Sequence, residues 1–303
     1  MNEFFNKKIP VCNSVKELKE FLARYSKFKF CLYLAYKDPD DWDRSTSRVY
    51  MNQVIADLIY LPVNIKKDNN DSLKEIYRIS ESSEQIVAIN QTQPHKSNSV
   101  LGKWLQDDSI VNIDALIKDK NKKLVPYDLN GPSFVGWFKD EVGQFQEKCV
   151  ILLGVGGVGE PIARKVIEEK PSKLILVDIV PKNELCAELS KKGIIEYASG
   201  LSEIKLNDNK IIFINCAGKE GVDESGTNEL LMKFKERGFI FVDLRPHLQI
   251  DIVEKATKLR WKAYTGHGMN ARNDYSLLTK IAELIGIVLM PFDEFKKIVA
   301  KAS

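Results

Sequence analysis

The stretch that decides the fold covers residues 149–178 and reads CVILLGVGGVGEPIARKVIEEKPSKLILVD. An apolar run of strand length leads into a glycine-rich turn, a segment of helical length follows, and a second apolar run ends on an acidic residue. This order predicts a βαβ unit of the dinucleotide-binding type. Continuous apolar runs at 210–215 and 239–243 are typical of further strands that are buried on both faces of a parallel sheet.

The turn of this unit carries three glycines with the spacing of a phosphate-binding loop. Gly154 permits the tight turn, Gly156 lets a pyrophosphate approach the backbone, and Gly159 lets the helix pack close to the strand. The start of the helix also offers unpaired N–H groups and the positive end of its dipole to the phosphates. The predicted cofactor-binding loop therefore consists of Gly154, Val155, Gly156, Gly157, Val158 and Gly159.

The acidic residue at the end of the second strand is Asp178. A carboxylate at this place accepts hydrogen bonds from the adenosine ribose diol, and its charge repels a 2′-phosphate. We therefore expect NAD as the cofactor in preference to NADP, although Lys182 lies nearby and works against this preference.

Two alternatives share the same loop. Adenylating enzymes that activate ubiquitin-like proteins and sulfur carriers place ATP on a similar GxGGxG turn, but they usually add a second acid, an arginine and often a CxxC zinc pair. The segment after Asp178 reads IVPKNELCAEL and supplies none of these cleanly. A nicotinamide-binding sensor without catalysis is the other alternative, and only an activity assay separates it from an enzyme.

Length and composition limit the remaining possibilities. The 303 residues suffice for two domains of ordinary size. The 45 basic and 42 acidic residues nearly balance, which argues against a nucleic-acid partner. No apolar run reaches the roughly 18 residues of a membrane helix, so we expect a cytoplasmic protein without a membrane partner. The five cysteines and three histidines are dispersed, which predicts no metal site, and a homodimer stays open.

Five polar segments outside the glycine loop carry a family resemblance. They are RSTSRVYMN at 44–52, NQTQPHK at 90–96, VNI at 111–113, PYDLNGPSF at 126–134 and GHGMNARN at 266–273. In this order they resemble the HSxSPxxHN, NVTxPxK, VNT, GxNTDGxGF and GxxMLxxQ motifs of shikimate dehydrogenases. The NxTxPxK match is specific and the others are partial, while Asn215 alone matches the family's NxTxxG segment. The resemblance extends over residues 28–284.

The resemblance implies a role for each matched residue. Lys96 would be the catalytic proton donor and acceptor. Asn215, Gly266 and Met269 would contact the cofactor, with Met269 at the nicotinamide. The implied substrate-binding residues, of which the two serines would hold a carboxylate, are Ser45, Ser47, Asn90, Thr92, Asn112 and Asn273.

The departures from the family's motifs occur at positions that the resemblance assigns to the substrate or to the catalytic pair. Asn130 stands where the family has the aspartate that pairs with the lysine, which leaves Lys96 without a certain anionic neighbour. Asp128, two positions earlier, is the candidate that takes over this role. Asn273 replaces a glutamine. Because several such positions differ together, we expect a small carboxylic acid that carries a ketone, enone or imine, and not shikimate itself.

The expected architecture is two α/β domains with a cleft between them. A smaller substrate-binding domain is expected at 1–130, completed by C-terminal helices at 270–303, and the Rossmann domain at 131–269. Within the first domain, the sequence predicts a helix at 45–58 and a loop at 38–43. The expected activity is that of a nicotinamide-dependent dehydrogenase or reductase.

Overall fold

The computed structural model describes residues 9–43, 47–66, 68–92, 94–97, 99–105, 112–205, 210–217, 224–233, 239–245 and 250–302. Among the residues expected to form the site, Ser45 lies outside these ranges. The chain divides into two compact units, Met1–Leu129 with Asn273–Ser303, and Asn130–Arg272.

Each unit is built on one β-sheet. The strands, in chain order, are β1 (Lys29–Ala35), β2 (Leu58–Asn64), β3 (Ile86–Gln91), β4 (Ala115–Lys118), β5 (Leu124–Tyr127), β6 (Cys149–Leu153), β7 (Lys173–Val177), β8 (Ile195–Ala198), β9 (Ile211–Asn215), β10 (Ile240–Asp243) and β11 (Lys262–Thr265).

The helices lie before, between and after these strands. In chain order they are α1 (Val15–Arg24), α2 (Pro39–Asp43), α3 (Ser47–Tyr50), α4 (Asn70–Ser82), α5 (Ser99–Leu105), α6 (Asn130–Trp137), α7 (Gly159–Val166), α8 (Asn183–Leu189), α9 (Glu224–Lys233), α10 (Ile250–Lys258), α11 (His267–Ile285) and α12 (Phe292–Ala302). No helix in the described part of the chain has the length and apolar character needed to cross a membrane.

The sheet of the first unit has the order β2-β1-β3-β4-β5. Its first three strands are parallel, and β4 and β5 form an antiparallel addition at one edge. Because side chains alternate between the faces of a strand, Leu32, Leu61 and Ile89 point into the apolar core of this unit. The opposite face carries Tyr33, Tyr60 and Asn90 and is the polar face of the sheet.

The sheet of the second unit has the order β11-β10-β9-β6-β7-β8, and all its neighbouring strands are parallel. The predicted α/β fold with a Rossmann sheet is therefore confirmed. From β6 the chain proceeds outward through β7 and β8 on one side and through β9 to β11 on the other. Ligands of such sheets bind at the carboxyl ends of the strands where the order reverses, which here are the ends of β6 and β9.

Two local predictions in the first unit are wrong. The segment expected to be a loop contains α2, because Pro39 occupies the first helical position and two aspartates follow in the first turn. The helix expected at 45–58 is only α3 followed by a 3₁₀ turn. It ends there because the buried Asn52 turns its side chain to the neighbouring strand, where Oδ1 accepts the N–H of Tyr60 at 2.8 Å.

Candidate functional site

The glycine loop of the second unit is shaped by two close backbone contacts. Gly154 has a φ of +84°, and a Cβ at this position would lie 2.6 Å from the backbone of Ala217. At Gly159 a Cβ would lie 1.9 Å from the carbonyl oxygen of Gly154. Both positions therefore require glycine for the turn and for the close packing of α7 on β6.

Gly156 differs from these two glycines because a Cβ there would meet no protein atom within 4 Å. The protein itself thus leaves the space above this backbone free, as the approach of a pyrophosphate requires. Beside it, α7 begins after Val158 without a side-chain cap, so the N–H groups of its first turn can bind an anion. The loop fits a dinucleotide.

Asp178 is tied to this loop by its carboxylate. One oxygen accepts the N–H of Val155 at 2.7 Å, and the other accepts the N–H of Val180 at 2.9 Å. The side chain is half-buried, and each oxygen retains a lone pair that can face a ligand. The structure therefore places the acidic residue directly against the glycine loop.

A polar network follows at the ends of β9 and β10. Asn215 is fully buried, and its Nδ2 donates to Asp243 Oδ2 at 3.1 Å. Asp243 also forms a buried ion pair with Arg245, in which Nη2 and Oδ2 lie 2.7 Å apart. Sequence reasoning singled out Asn215 and missed the two charged residues, because an acid at a strand end and an arginine two residues later match no motif.

The other cofactor residues expected from the resemblance lie near β11 and the start of α11. Met269 is buried and belongs to the apolar core of the second unit. A Cβ on Gly266 would lie 3.0 Å from Leu244 Cα, so this glycine permits close packing beside the end of β10. Their contact with a cofactor stays a prediction.

Lys96 lies in a 3₁₀ turn, His95–Ser97, that follows the carboxyl end of β3. Its ammonium group forms an ion pair with Asp114, and the two side chains are only 9% and 3% exposed. The backbone holds the pair together, because Ile113 N–H donates to the carbonyl of Lys96 at 2.9 Å and Gln91 N–H donates to the carbonyl of Asp114 at 2.6 Å. Lys96 is therefore buried, paired with a carboxylate, and held in position by the backbone around it.

This pair corrects the expectation that Asn130 leaves Lys96 without a certain anionic neighbour. Asp114 supplies the carboxylate, and its second oxygen accepts the N–H of Leu129 at 2.9 Å, next to the family's usual aspartate position. Asn130 is buried at the start of α6, and Asp128 is half-buried just before it. Their catalytic role stays a prediction.

Sequence reasoning missed Asp114, although it stands two residues after Asn112 of the VNI segment. Its place beside Lys96 depends on the antiparallel pairing of β4 with β3, in which Asn90 lies opposite Ala115. A register between segments some twenty residues apart is not visible in a motif.

Three of the residues expected to bind substrate, Asn90, Thr92 and Asn112, belong to the same unit as the Lys96–Asp114 pair. Asn90 is the second-last residue of β3. On the polar face its Nδ2 donates to Tyr60 Oη at 2.7 Å, and the ring of Tyr60 stacks on Tyr33 at a centroid distance of 5.1 Å. Asn112 is buried and has a φ of +65°, a left-handed conformation that asparagine tolerates better than most residues. Thr92 follows directly after β3 and is half-buried.

The remaining expected substrate residues lie on helices. Ser47 begins α3 and Asn273 lies within α11, both half-buried. Sequence reasoning missed the next residue, Asp274, whose carboxylate accepts a hydrogen bond from the hydroxyl of Tyr50. Burial raises the pKa of Asp274 to about 6, and the Tyr50 hydrogen bond offsets part of the rise.

Two curated proteins are similar to this chain in sequence. A shikimate dehydrogenase (NADP+) from Methanococcus vannielii is 29% identical over 157 residues, which cover 49% of this chain and 53% of that protein. A shikimate dehydrogenase (NADP+) from Aquifex aeolicus is 24% identical over 225 residues, which cover 72% and 77%. The chain thus spans about half the length of the first relative. No model of a known protein family matches the sequence.

Solved structures share the fold over nearly the whole chain. A shikimate dehydrogenase in complex with NADP+ superposes with a TM-score of 0.69 at 16% identity, covering 91% of this chain and 96% of that one. A quinate dehydrogenase from Corynebacterium glutamicum in complex with NAD gives 0.66 at 12% identity, covering 90% and 99%. The chain therefore shares the fold of shikimate and quinate dehydrogenases and is similar in sequence to two shikimate dehydrogenases.

Proposed function

We propose that this protein is a nicotinamide-dependent oxidoreductase that acts on a small carboxylate-bearing substrate with a ketone, enone or imine. The observation that carries the proposal is the buried Lys96–Asp114 pair beside the carboxyl end of β3. A buried lysine held by a carboxylate is positioned to give or take one proton at a substrate heteroatom. A bound nicotinamide would supply or accept the hydride.

Each residue of the pair has a distinct task in this proposal. Lys96 Nζ transfers the proton, and Asp114 fixes the ammonium group and compensates its charge. Asp114 also keeps its second oxygen on the N–H of Leu129, so its orientation does not depend on the lysine alone. It is a positioning residue for Lys96.

For the cofactor we propose NAD in preference to NADP. The support is the carboxylate of Asp178, which two backbone N–H groups hold against the glycine loop. A 2′-phosphate on the adenosine ribose would meet this charge at short range. Because both sequence relatives are named NADP+ enzymes, the two cofactors have to be compared directly.

For the substrate we propose a small carboxylic acid other than shikimate. Ser45 and Ser47 are the proposed carboxylate ligands, as the resemblance implies. The support for a different acid is that Asn130 and Asn273 replace an aspartate and a glutamine of the family at substrate-facing positions.

The test is a thermal-shift titration of the purified protein with NADH, NADPH and ATP, followed by an activity screen with small keto and imino acids. We expect stabilisation by NADH, weaker stabilisation by NADPH and oxidation of NADH by at least one acid. Tighter NADPH binding contradicts the cofactor assignment. ATP binding with pyrophosphate release would establish the adenylating alternative, and cofactor binding without any turnover would establish the sensor.

A further inference from the structure

Asp274 is a charged group on the polar face of the first unit that the proposed proton transfer does not use. It is half-buried in α11, directly after Asn273, which the family resemblance assigns to the substrate. Its carboxylate accepts the hydroxyl of Tyr50 from α3. Among the described residues, no lysine or arginine forms an ion pair with it.

Two cations of the first unit that the structure describes have other partners than Asp274. Lys96 is neutralised by Asp114. Lys37 donates to the hydroxyl of Tyr33 at 2.7 Å and lies over the rings of Tyr33 and Trp42. A carboxylate that is partly desolvated and has one neutral donor gains stability when a cation binds to it.

Tyr60 lies within electrostatic reach of this carboxylate. Burial raises the pKa of Tyr60, and the negative charge of Asp274 adds to the rise. Tyr50 is 5% exposed, and its hydroxyl donates directly to Asp274. Carboxylates combined with tyrosine rings favour ammonium groups, because the ring faces attract positive charge.

We propose that Asp274, with Tyr50 and the neighbouring Tyr60, binds a cationic nitrogen of the substrate, which is therefore an amino or imino acid and not a polyhydroxylated acid. That this ligand is the substrate depends on the proposed function, whereas its binding does not. The positive group compensates Asp274, and the carboxylate of the same molecule is free for the serines. Asn90 and Thr92 supply the neutral hydrogen bonds between these two ends.

Matched pairs of ligands test this proposal on the full chain. The pairs are L-proline with cyclopentanecarboxylate, piperidine-2-carboxylate with cyclohexanecarboxylate, and 5-aminovalerate with valerate. Dissociation constants are measured by ligand-observed NMR, without a cofactor and without turnover. We expect at least one nitrogen-bearing acid to bind about tenfold more tightly than its neutral partner, as a new charge-assisted contact gives.

Variants assign this preference to the carboxylate. Asp274→Asn should bind both members of each pair equally. Tyr50→Phe keeps the carboxylate and removes its donor, so the preference should stay or increase. Asp293→Asn is the matched control, because Asp293 is an aspartate on α12 with 85% of its side chain exposed, and it should behave as the wild type.

Two results would overturn the proposal: equal binding of all pairs by the wild type, or an unchanged preference in Asp274→Asn. NADH binding, followed on the same proteins by its fluorescence, tests the proposed function separately. A retained ammonium preference with no NADH binding rejects the oxidoreductase and keeps the cation site. NADH turnover without any ammonium preference rejects the cation site alone.

Discussion

The glycine loop and the lysine site differ in how their chemistry is encoded. The loop presents backbone groups, and its glycines are fixed by contacts with their own neighbours, such as the 1.9 Å that separates a Cβ on Gly159 from Gly154 O. The lysine site consists of side chains that come from separate strands and turns. A carboxylate can therefore reach Lys96 from more than one position in the sequence, and here it comes from Asp114.

This difference explains why one site keeps its motif and the other departs from it. Moving a glycine by one position destroys the turn, because the spacing itself produces the shape. Moving a carboxylate preserves the site, provided that the fold brings the new position to the same ammonium group. The predictions that follow test the two halves of this comparison.

The largest effect is expected at Lys96. Replacement by alanine should lower kcat by about 10²–10⁴-fold, the usual loss for a positioned acid–base group. Steady-state kinetics with the acid identified by the screen measure this loss, and NADH affinity, which belongs to the second unit, should not change. Near-normal turnover with an unchanged pH profile would mean that Lys96 only supports the structure.

A control is required because alanine leaves Asp114 buried without its partner, which costs about 3–5 kcal/mol of stability. Lys96→Arg keeps a positive charge beside Asp114 but stays protonated in proteins. The free energy of unfolding of Lys96→Arg should therefore exceed that of Lys96→Ala. The kcat of the two variants should be equally low.

The second effect contrasts two glycines of one loop. Gly154→Ala should lower the free energy of unfolding by about 2–4 kcal/mol, since it combines a positive φ with a 2.6 Å contact to Ala217. Gly156→Ala should change stability by less than about 1 kcal/mol but weaken NADH binding, because its Cβ occupies only ligand space. Chemical denaturation and NADH fluorescence measure both. Equal losses of stability at the two positions would contradict the account of the loop.

The parts of the molecule that could be predicted from sequence are those with local causes. The apolar runs that became β6, β7, β9 and β10, and the glycine turn after β6, follow from side-chain pattern and backbone geometry. The β4–β5 hairpin was not predicted, and Asp114 was missed with it. Its position results from pairing with β3, and pairing registers arise from tertiary contacts that a single sequence does not display.

Asp274, in α11, is a second residue whose environment the sequence does not reveal. Nothing in the segment GHGMNARND distinguishes it from an exposed helical aspartate, whereas the structure pairs it with Tyr50, more than two hundred residues earlier in the chain. Long-range contacts of this kind determine the surroundings of Lys96 and Asp274, while short-range geometry determines the glycine loop.

A smaller effect is expected in the pH dependence of stability. The pKa of Asp274 is raised from 3.8 to about 6 in the folded protein, so the folded state binds this proton more tightly than the unfolded state. Its contribution to stability is complete below about pH 4 and is lost as the pH rises through 6. Asp274→Asn should remove this pH-dependent contribution, which changes the free energy of unfolding by about 1–3 kcal/mol between pH 4 and 7. Identical pH profiles of unfolding for wild type and variant would contradict the burial of this charge.

The relocation of the lysine's partner is tested most directly by exchanging the two positions. The kcat–pH profiles of Asp114→Asn, Asn130→Asp and the double variant are compared with the wild type, with Asp128→Asn alongside. Asp114→Asn should lower kcat about tenfold to a hundredfold, the loss of one charge-assisted hydrogen bond, and the double variant should recover most of it because the carboxylate returns to the family's position. Unchanged kcat in Asp114→Asn together with a large loss in Asp128→Asn would contradict the account and place the partner at Asp128.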